Sequence, residues 1–186
     1  MITYFVVDTK TNNSTLEVFS DSADKELLNY ITYDEDLVLP SNLKFRLKKG
    51  RRPTDVISYI DKEKILFFSQ KFIDFLSKFI NMSHKCYPIT VEGCDVKYYG
   101  LRNLRGFYHF NHVEHTTQNE PILFYDKDNN APAVFTLIGI PMLIVGEQIQ
   151  GLSYGQGFTN VDIEKRVFSY SSIEIEGWKE NWGKTD

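Results

Sequence analysis

Residues 65–104 read ILFFSQKFIDFLSKFINMSHKCYPITVEGCDVKYYGLRNL, and this stretch carries the clearest secondary-structure pattern in the chain. After an initial apolar run, apolar residues recur at helical spacing, namely Phe72, Ile73, Leu76, Phe79 and Ile80. That periodicity is typical of an amphipathic helix, and Ser69 is well suited to cap it, so a helix is predicted over about residues 69–81. Two runs rich in β-branched and aromatic residues follow, at 87–91 and 96–101, and they predict strands.

Apolar patterns outside this stretch predict further strands. Residues 2–7 and 16–19 could pair as a hairpin. Other strands are predicted at residues 43–47, 122–125, 134–138, 142–145 and 165–176. Short helical segments are predicted at residues 25–30 and from Glu147 onwards. A helix with one apolar face cannot bury itself alone. We therefore expect a single α+β domain over residues 1–186, with a mainly antiparallel or mixed β-sheet, one principal amphipathic helix and short accessory helices.

The length and composition are typical of a soluble protein. A chain of 186 residues can bury about two thirds of its unfolded surface without metals or disulfides. Its two cysteines, Cys86 and Cys94, have no spacing that indicates a disulfide framework or a zinc knuckle. The N-terminus lacks the basic region of a signal peptide, and the longest apolar stretch, residues 134–145, is shorter than the roughly 20 residues of a membrane-spanning helix. We therefore expect a cytoplasmic protein with no membrane partner.

The net charge of −4 is distributed unevenly along the chain. Residues 1–40 hold eight acids and two lysines, whereas residues 41–53 hold six bases and no acid. Residues 119–186 hold ten acids and five bases. A largely acidic surface favours a basic protein partner over a nucleic acid.

Three histidines form the first group that could carry chemistry. His109, His112 and His115 lie close to Glu114 in the sequence, and imidazole and carboxylate groups are good ligands for zinc or iron. Their spacing matches no helical metal motif, and on a strand His112 would face away from the other two histidines. A metal-dependent enzyme is thus an alternative to the simpler interpretation, a solvated polar segment.

A serine in a glycine-rich stretch is the second candidate. Residues 151–155 read GLSYG, which matches the GxSxG pattern of serine hydrolases. That motif requires a strand before the serine and a helix after it, whereas Gly155 and Gly157 occur where the helix should begin. A hydrolytic enzyme using Ser153 is the second alternative, and a glycine-rich turn explains the same residues.

A cluster of bases is the third candidate, and its members are Lys44, Arg46, Lys48, Lys49, Arg51 and Arg52. These side chains could contact phosphates, with Phe45 as a stacking aromatic residue. The alternation of the segment instead places Phe45 on a core face and the lysines on an exposed strand edge, which lysines commonly protect. A nucleic-acid-binding module using residues 44–52 is therefore a third alternative.

Several short motifs occur in an order found in one group of bacterial proteins. They are TDVIS (54–58), ILFF (65–68), SQKF (69–72), Leu76, YPI (87–89) and YYGLRN (98–103), followed by VFTL (134–137) and LIVGE (143–147). Their combination resembles the immunity proteins of polymorphic toxin systems, including contact-dependent growth inhibition systems, and covers about residues 54–150. The motif residues are mostly apolar and aromatic, so the resemblance transfers a fold and no functional residue.

This resemblance implies a non-catalytic protein that binds a cognate toxin domain, such as a nuclease, and neutralises it by stoichiometric occlusion. The expected partner is that toxin domain and not a nucleic acid, and no catalytic residue, cofactor or metal is expected. The residues expected to contact the toxin are the acids Asp34, Glu35, Asp36, Glu174 and Glu176 and the aromatic residues Tyr154, Trp178 and Trp182.

Overall fold

In the part of the chain that the structure describes, the strands form two sheets that share a core with two short helices. The computed structural model describes residues 2–10, 16–20, 43–59, 65–83, 85–102, 107–110, 122–123, 133–138 and 140–168. In these ranges the strands are β1 (Ile2–Asp8), β2 (Glu17–Phe19), β3 (Leu43–Lys49), β4 (Val56–Tyr59), β5 (Ile65–Ser69), β6 (Cys86–Val91), β7 (Tyr98–Leu101), β8 (Phe107–Phe110), β9 (Ile122–Leu123), β10 (Val134–Ile138), β11 (Ile140–Gly146) and β12 (Asp162–Phe168). The helices are α1 (Gln70–Leu76) and α2 (Glu147–Ser153), and a 3-10 turn covers Tyr154–Gln156. The predicted α+β class is confirmed, and strands predominate.

Six strands close into a barrel in the order β2-β3-β6-β7-β5-β4. The pairs β2/β4 and β3/β6 are parallel and the other four are antiparallel, so the sheet is mixed. Every strand contributes to an interior whose buried members include Val18, Phe45, Ile57, Phe67, Tyr87 and Tyr98. The Tyr87 ring occupies the space that a Cβ atom on Gly100 would need, which explains a glycine inside strand β7.

The remaining strands form an open sheet in the order β12-β1-β11-β10-β8-β9. Strand β1 lies between β11 and β12 and is antiparallel to both. Strand β8 is parallel to β10 and antiparallel to β9. The connection from β11 to β12 contains α2 and the 3-10 turn.

A second apolar cluster joins the open sheet to the barrel. Phe5 and Val7 of β1 belong to the same buried cluster as Phe68 of β5 and Phe72 of α1. The Phe68 and Phe72 rings are stacked, with 5.0 Å between their centroids. Because residues of both sheets share this cluster, the described part of the chain has a continuous apolar link between its two sheets.

Helix α1 begins as predicted but ends earlier. The Ser69 hydroxyl accepts a hydrogen bond from the Phe72 N–H and so caps the helix. The helix ends at Leu76, whereas the apolar periodicity predicts about residue 81. The Ser77 hydroxyl donates to the Ile73 carbonyl, and the Lys78 N–H donates to the Phe75 carbonyl three residues earlier. This tighter last turn ends the helix, although apolar residues continue at helical spacing beyond it.

The predicted hairpin of residues 2–7 and 16–19 is wrong. Strand β1 belongs to the open sheet, whereas β2 belongs to the barrel and pairs with β3 and β4. Phe5, Val6 and Val7 are all buried, so both faces of β1 are covered. Strands β11 and β12 occupy the two hydrogen-bonding edges of β1, so no edge is left for β2.

The predicted terminal strand also has different limits. Strand β12 begins at Asp162, three residues before the predicted start, and pairs with β1 along its whole length. The predicted continuation over 169–176 lies outside the described residues, as does the predicted helix at 25–30. The short helix predicted from Glu147 is confirmed as α2. Over the described residues, no helix has the length and apolar character needed to cross a membrane.

Candidate interaction site

One of the eight residues expected to contact a toxin lies in the described part of the chain. That residue is Tyr154, in the connection between β11 and β12. The other seven, Asp34, Glu35, Asp36, Glu174, Glu176, Trp178 and Trp182, lie outside the described residues. The expectation for these seven residues stays a prediction, and Tyr154 is the starting point for the site.

Tyr154 is prominent on the surface. Its side chain is 72% exposed, and Leu152, two residues earlier, is 49% exposed. Both lie in what we call the Tyr154 segment, residues 147–160, which contains α2, the 3-10 turn and the residues leading to β12. The Tyr154 hydroxyl is hydrogen-bonded to the Gln150 side-chain amide one helical turn earlier.

The local sequence explains the shape of this segment. Gly146 precedes the helix, and Glu147 supplies an acid in the first turn, where it interacts favourably with the helix dipole. Ile149 and Ser153 form the buried side of α2. Gly157 ends the 3-10 turn with a φ of 60°, a left-handed conformation that glycine adopts without a steric penalty.

A buried carboxylate attaches the end of the segment to the barrel. Asp55, which is 8% exposed, precedes β4. Its Oδ2 atom accepts hydrogen bonds from the Thr159 N–H at 2.8 Å and from the Thr159 hydroxyl at 2.9 Å. Its Oδ1 atom accepts from the Ser69 hydroxyl at 2.7 Å, so the same carboxylate also holds the cap of α1. Three donors thereby compensate the cost of burying the carboxylate.

Further contacts reinforce this attachment. The Asp55 N–H donates to the Thr159 carbonyl at 3.1 Å, and the Asn160 side-chain amide donates to the Val56 carbonyl at 2.8 Å. Lys71 of α1 donates to the Gly157 carbonyl at 3.0 Å and lies 5.1 Å from the centroid of the Phe158 ring. The Tyr154 segment is therefore held by both the barrel and α1.

Aromatic packing completes the contact between the segment and α1. The centroid of the Phe158 ring lies 5.0 Å from that of Phe72 and 5.2 Å from that of Phe75. Aromatic pairs at this separation stabilise the folded state by more than the burial of their apolar area alone. The residues after Tyr154 are thus packed as well as hydrogen-bonded.

The shifted pKa values near this site belong to barrel residues. Burial raises the pKa of the Tyr98 hydroxyl above its ordinary value; Cys94 and Asp55 raise it further, and a hydrogen bond with Thr54 opposes the rise. That hydroxyl donates to the Thr54 carbonyl at 2.8 Å, directly beside Asp55 in the chain. Burial also raises the pKa of Tyr87, and this rise is opposed by the charge of Arg102. These groups stabilise the barrel interior in their neutral forms.

The geometry of Ser153 does not fit a hydrolase nucleophile. Ser153 is the last residue of α2 and is buried, whereas the motif requires a sharp turn between a strand and a helix. Its hydroxyl donates to the Gln150 carbonyl at 2.7 Å. The GxSxG match is therefore a helix end followed by a glycine-containing turn.

The histidine alternative falls mainly on residues that are not described. His109 lies in strand β8, of which only the backbone is described. His112 and His115 lie outside the described residues. No three His, Cys, Asp or Glu side chains come together as a possible metal site within the described ranges. The predicted histidine site gains no support from this part of the chain.

The basic cluster is on the outside of the barrel. We call it the basic surface; its members are Lys44, Arg46, Lys48, Lys49, Arg51 and Arg52, and all six are exposed. Leu43 and Phe45 are buried in the barrel, which confirms the predicted alternation at the start of β3. Arg46 lies 3.4 Å from Glu92, and Lys49 lies 3.7 Å from Glu17.

Two features of the site were not predicted from the sequence. Leu152 was not singled out because an isolated leucine among glycines has no distinctive pattern. The hydrogen bonds between Asp55 and Thr159 join residues 104 positions apart. The signals available were a polar residue before an apolar strand and a Thr-Asn pair after a glycine, and each is common in turns.

Comparisons with protein-family models and with curated proteins gave no match for this chain.

Proposed function

We propose that this protein is an immunity protein that binds a cognate toxin domain and neutralises it by stoichiometric occlusion, without catalysis. We further propose that the Tyr154 segment is part of its toxin-binding surface. The observation that carries this second step is the 72% exposure of Tyr154 on a segment that is itself firmly attached. The resemblance of residues 54–150 to immunity proteins supports the first step.

The chemistry of the segment fits protein recognition. Tyrosine is enriched among residues that dominate binding free energy, because its ring buries a large apolar area while the hydroxyl can form a hydrogen bond. Leu152 adds a second exposed apolar side chain close to Tyr154 in the sequence. Glu147 and Gln148 are also exposed on α2 and supply polar groups for the rim of an interface.

The attachment of the segment favours binding. Association costs free energy when side chains and loops must become ordered. Here the Asp55 carboxylate, the Lys71 ammonium group and the packed Phe158 ring already restrain the end of the segment. A partner would therefore bind a surface that is largely ordered in advance.

Co-expression with the open reading frame that adjoins the gene tests this function. The proposal expects that the neighbouring product inhibits growth when expressed alone, that co-expression restores growth, and that the two chains purify as a one-to-one complex. A toxic neighbour that is neither bound nor neutralised, or a neighbour without toxicity, would contradict the proposal.

The site has its own variant test within the same assay. Tyr154→Ala should reduce rescue and complex formation, whereas Leu47→Ala should not. Leu47 is a suitable control because it is also a partly exposed large apolar residue, but it lies on barrel strand β3. Full rescue by Tyr154→Ala would leave the immunity function in place and remove this segment from the binding surface.

A further inference from the structure

The basic surface follows strand β3 on the outside of the barrel. Lys44, Arg46 and Lys48 are exposed at alternate positions of β3, while Leu43 and Phe45 point into the core. Alternate residues of a regular strand lie on one face about 7 Å apart, so Lys44 and Arg46 share a face. The register of β3 with β2 shifts between Leu47 and Lys49, so Lys48 lies at a bulge, and residues 46–49 are all exposed. Arg51 and Arg52 continue this surface into the turn that begins at Gly50, and both are exposed.

Protection of a strand edge explains only part of the basic surface. Strand β3 pairs with β6 through residues 43–45 and with β2 through residues 46–49. It is thus an internal member of a closed barrel, with one partner strand on each side that covers about half of its length. Protection of a strand edge therefore does not account for all six bases, because Arg51 and Arg52 lie beyond the end of β3.

The surface keeps a positive excess after its local ion pairs are counted. Glu92 and Glu17 are the acids paired with Arg46 and Lys49, at 3.4 Å and 3.7 Å. Lys44, Lys48, Arg51 and Arg52 form no ion pair with another described residue. About four positive charges of the basic surface thus have no acidic partner among the described residues, on a chain whose net charge is −4.

The side chains on this surface distinguish among anionic partners. Cores of protein interfaces are depleted in charge and enriched in aromatic residues, whereas phosphate contacts require only cations and hydrogen-bond donors. Phe45, the aromatic residue within the basic segment, is 1% exposed and belongs to the barrel core. It cannot stack on the bases of a single strand, which such binding commonly requires.

We propose that the basic surface binds the phosphate backbone of a nucleic acid duplex without reading its sequence. This departs from the expectation that nucleic acid is not a partner; the reasons are the internal position of β3 and the burial of Phe45. The inference does not depend on toxin binding, because the basic surface and the Tyr154 segment are separate parts of the chain.

Fluorescence anisotropy with a labelled DNA duplex of about 20 base pairs tests the proposal, and an RNA duplex of the same sequence provides a second probe. With about four phosphate contacts, the affinity should fall roughly a hundredfold between about 50 mM and about 200 mM salt. Duplexes of unrelated sequence should bind equally well. No binding at the lower salt concentration would overturn the proposal.

Matched double variants locate the binding. Lys44→Gln/Lys48→Gln should reduce the salt slope by about two and weaken binding at low salt by about tenfold or more. Lys78→Gln/Lys97→Gln removes the same charge from exposed positions outside the basic surface and should leave binding nearly unchanged. Equal losses in both double variants would show attraction to overall charge and would overturn the assignment.

Two further measurements test whether removal of a nearby negative charge strengthens binding and which class of anion binds. Glu92→Gln removes the acid beside Arg46 and should strengthen duplex binding several-fold, whereas weaker binding would contradict the proposed surface. Polyglutamate should compete poorly because it offers carboxylates in place of phosphates. Binding of polyglutamate as tight as that of the duplex would identify an acidic polypeptide as the fitting partner and overturn the nucleic acid proposal.

Discussion

The Asp55 carboxylate accepts hydrogen bonds from both the N–H and the hydroxyl of Thr159, at 2.8 Å and 2.9 Å. Thr159 in turn accepts a hydrogen bond from the Asp55 N–H at its hydroxyl oxygen, at 3.0 Å. This reciprocal pair joins the start of barrel strand β4 to the end of the Tyr154 segment. Since Asp55 also accepts from Ser69, one residue connects the barrel, the cap of α1 and the segment.

Asp55→Ala should lower the free energy of unfolding by about 3 kcal/mol, because it leaves the donors of Thr159 and Ser69 without their acceptor in a buried place. Urea denaturation measures this loss. Ser20→Ala is the matched control, since it removes one buried side-chain hydrogen bond, to the Tyr59 hydroxyl, and should cost about 1 kcal/mol. Equal losses of unfolding free energy in the two variants would show that the Asp55 network stabilises the fold no more than one buried hydrogen bond does.

Two glycine substitutions should have opposite effects on stability. Gly100→Ala places a methyl group where the Tyr87 ring lies and should destabilise by about 2 kcal/mol or more. Gly151→Ala meets nothing within 4 Å, lies inside α2, and should stabilise by up to about 1 kcal/mol. Thermal unfolding of both variants checks the prediction. Stabilisation by Gly100→Ala would contradict the packing of Tyr87 against strand β7.

Stability should decrease in alkaline solution. Burial raises the pKa of Tyr87 and Tyr98 above their ordinary value of about 10, so these tyrosines ionise first in the unfolded chain. Their stabilisation is fully present below about pH 10 and is lost as the pH rises towards the folded-state pKa, by up to about 1.4 kcal/mol per pH unit and tyrosine. Urea denaturation across this range should give a smaller slope for Tyr87→Phe. An unchanged slope would contradict the role of that hydroxyl.

Tyr154→Ala should weaken binding of the proposed toxin partner by about 2 kcal/mol or more, as expected for a central aromatic residue in an interface. Because Tyr154 is largely exposed, the free energy of unfolding should change by less than about 0.5 kcal/mol. Isothermal titration calorimetry and urea denaturation together separate these effects. A large loss of stability with unchanged affinity would show that Tyr154 stabilises the fold and does not contribute to toxin binding.

Helix α1 shows which features the local sequence pattern can predict and which it cannot. The spacing of Phe72, Ile73 and Leu76 predicted the helix and its buried face, because a helix packed on one side repeats its apolar contacts with its own period. Its end was predicted too late, since the hydroxyl of Ser77 bonds to a backbone carbonyl and tightens the chain. Apolar spacing carries no information about such a bond.

The candidate site was predictable only in part. Tyr154 was selected as an exposed aromatic residue, and its exposure is confirmed. The other seven expected toxin contacts lie outside the described residues and stay predictions. Ser153 and Phe45 matched chemical patterns in the sequence, but both are buried, and burial depends on contacts with distant strands.

By itself, the sequence determined the α+β class, the helix after Ser69 and the alternation at the start of β3, because each depends on periodic burial over a few residues. Tertiary structure alone decided that β1 and β2 belong to different sheets, that six strands close into a barrel, and that Asp55 holds Thr159. These choices depend on which distant surfaces become buried together. Many pairings satisfy the same local pattern, and only the packing of the whole core selects one of them.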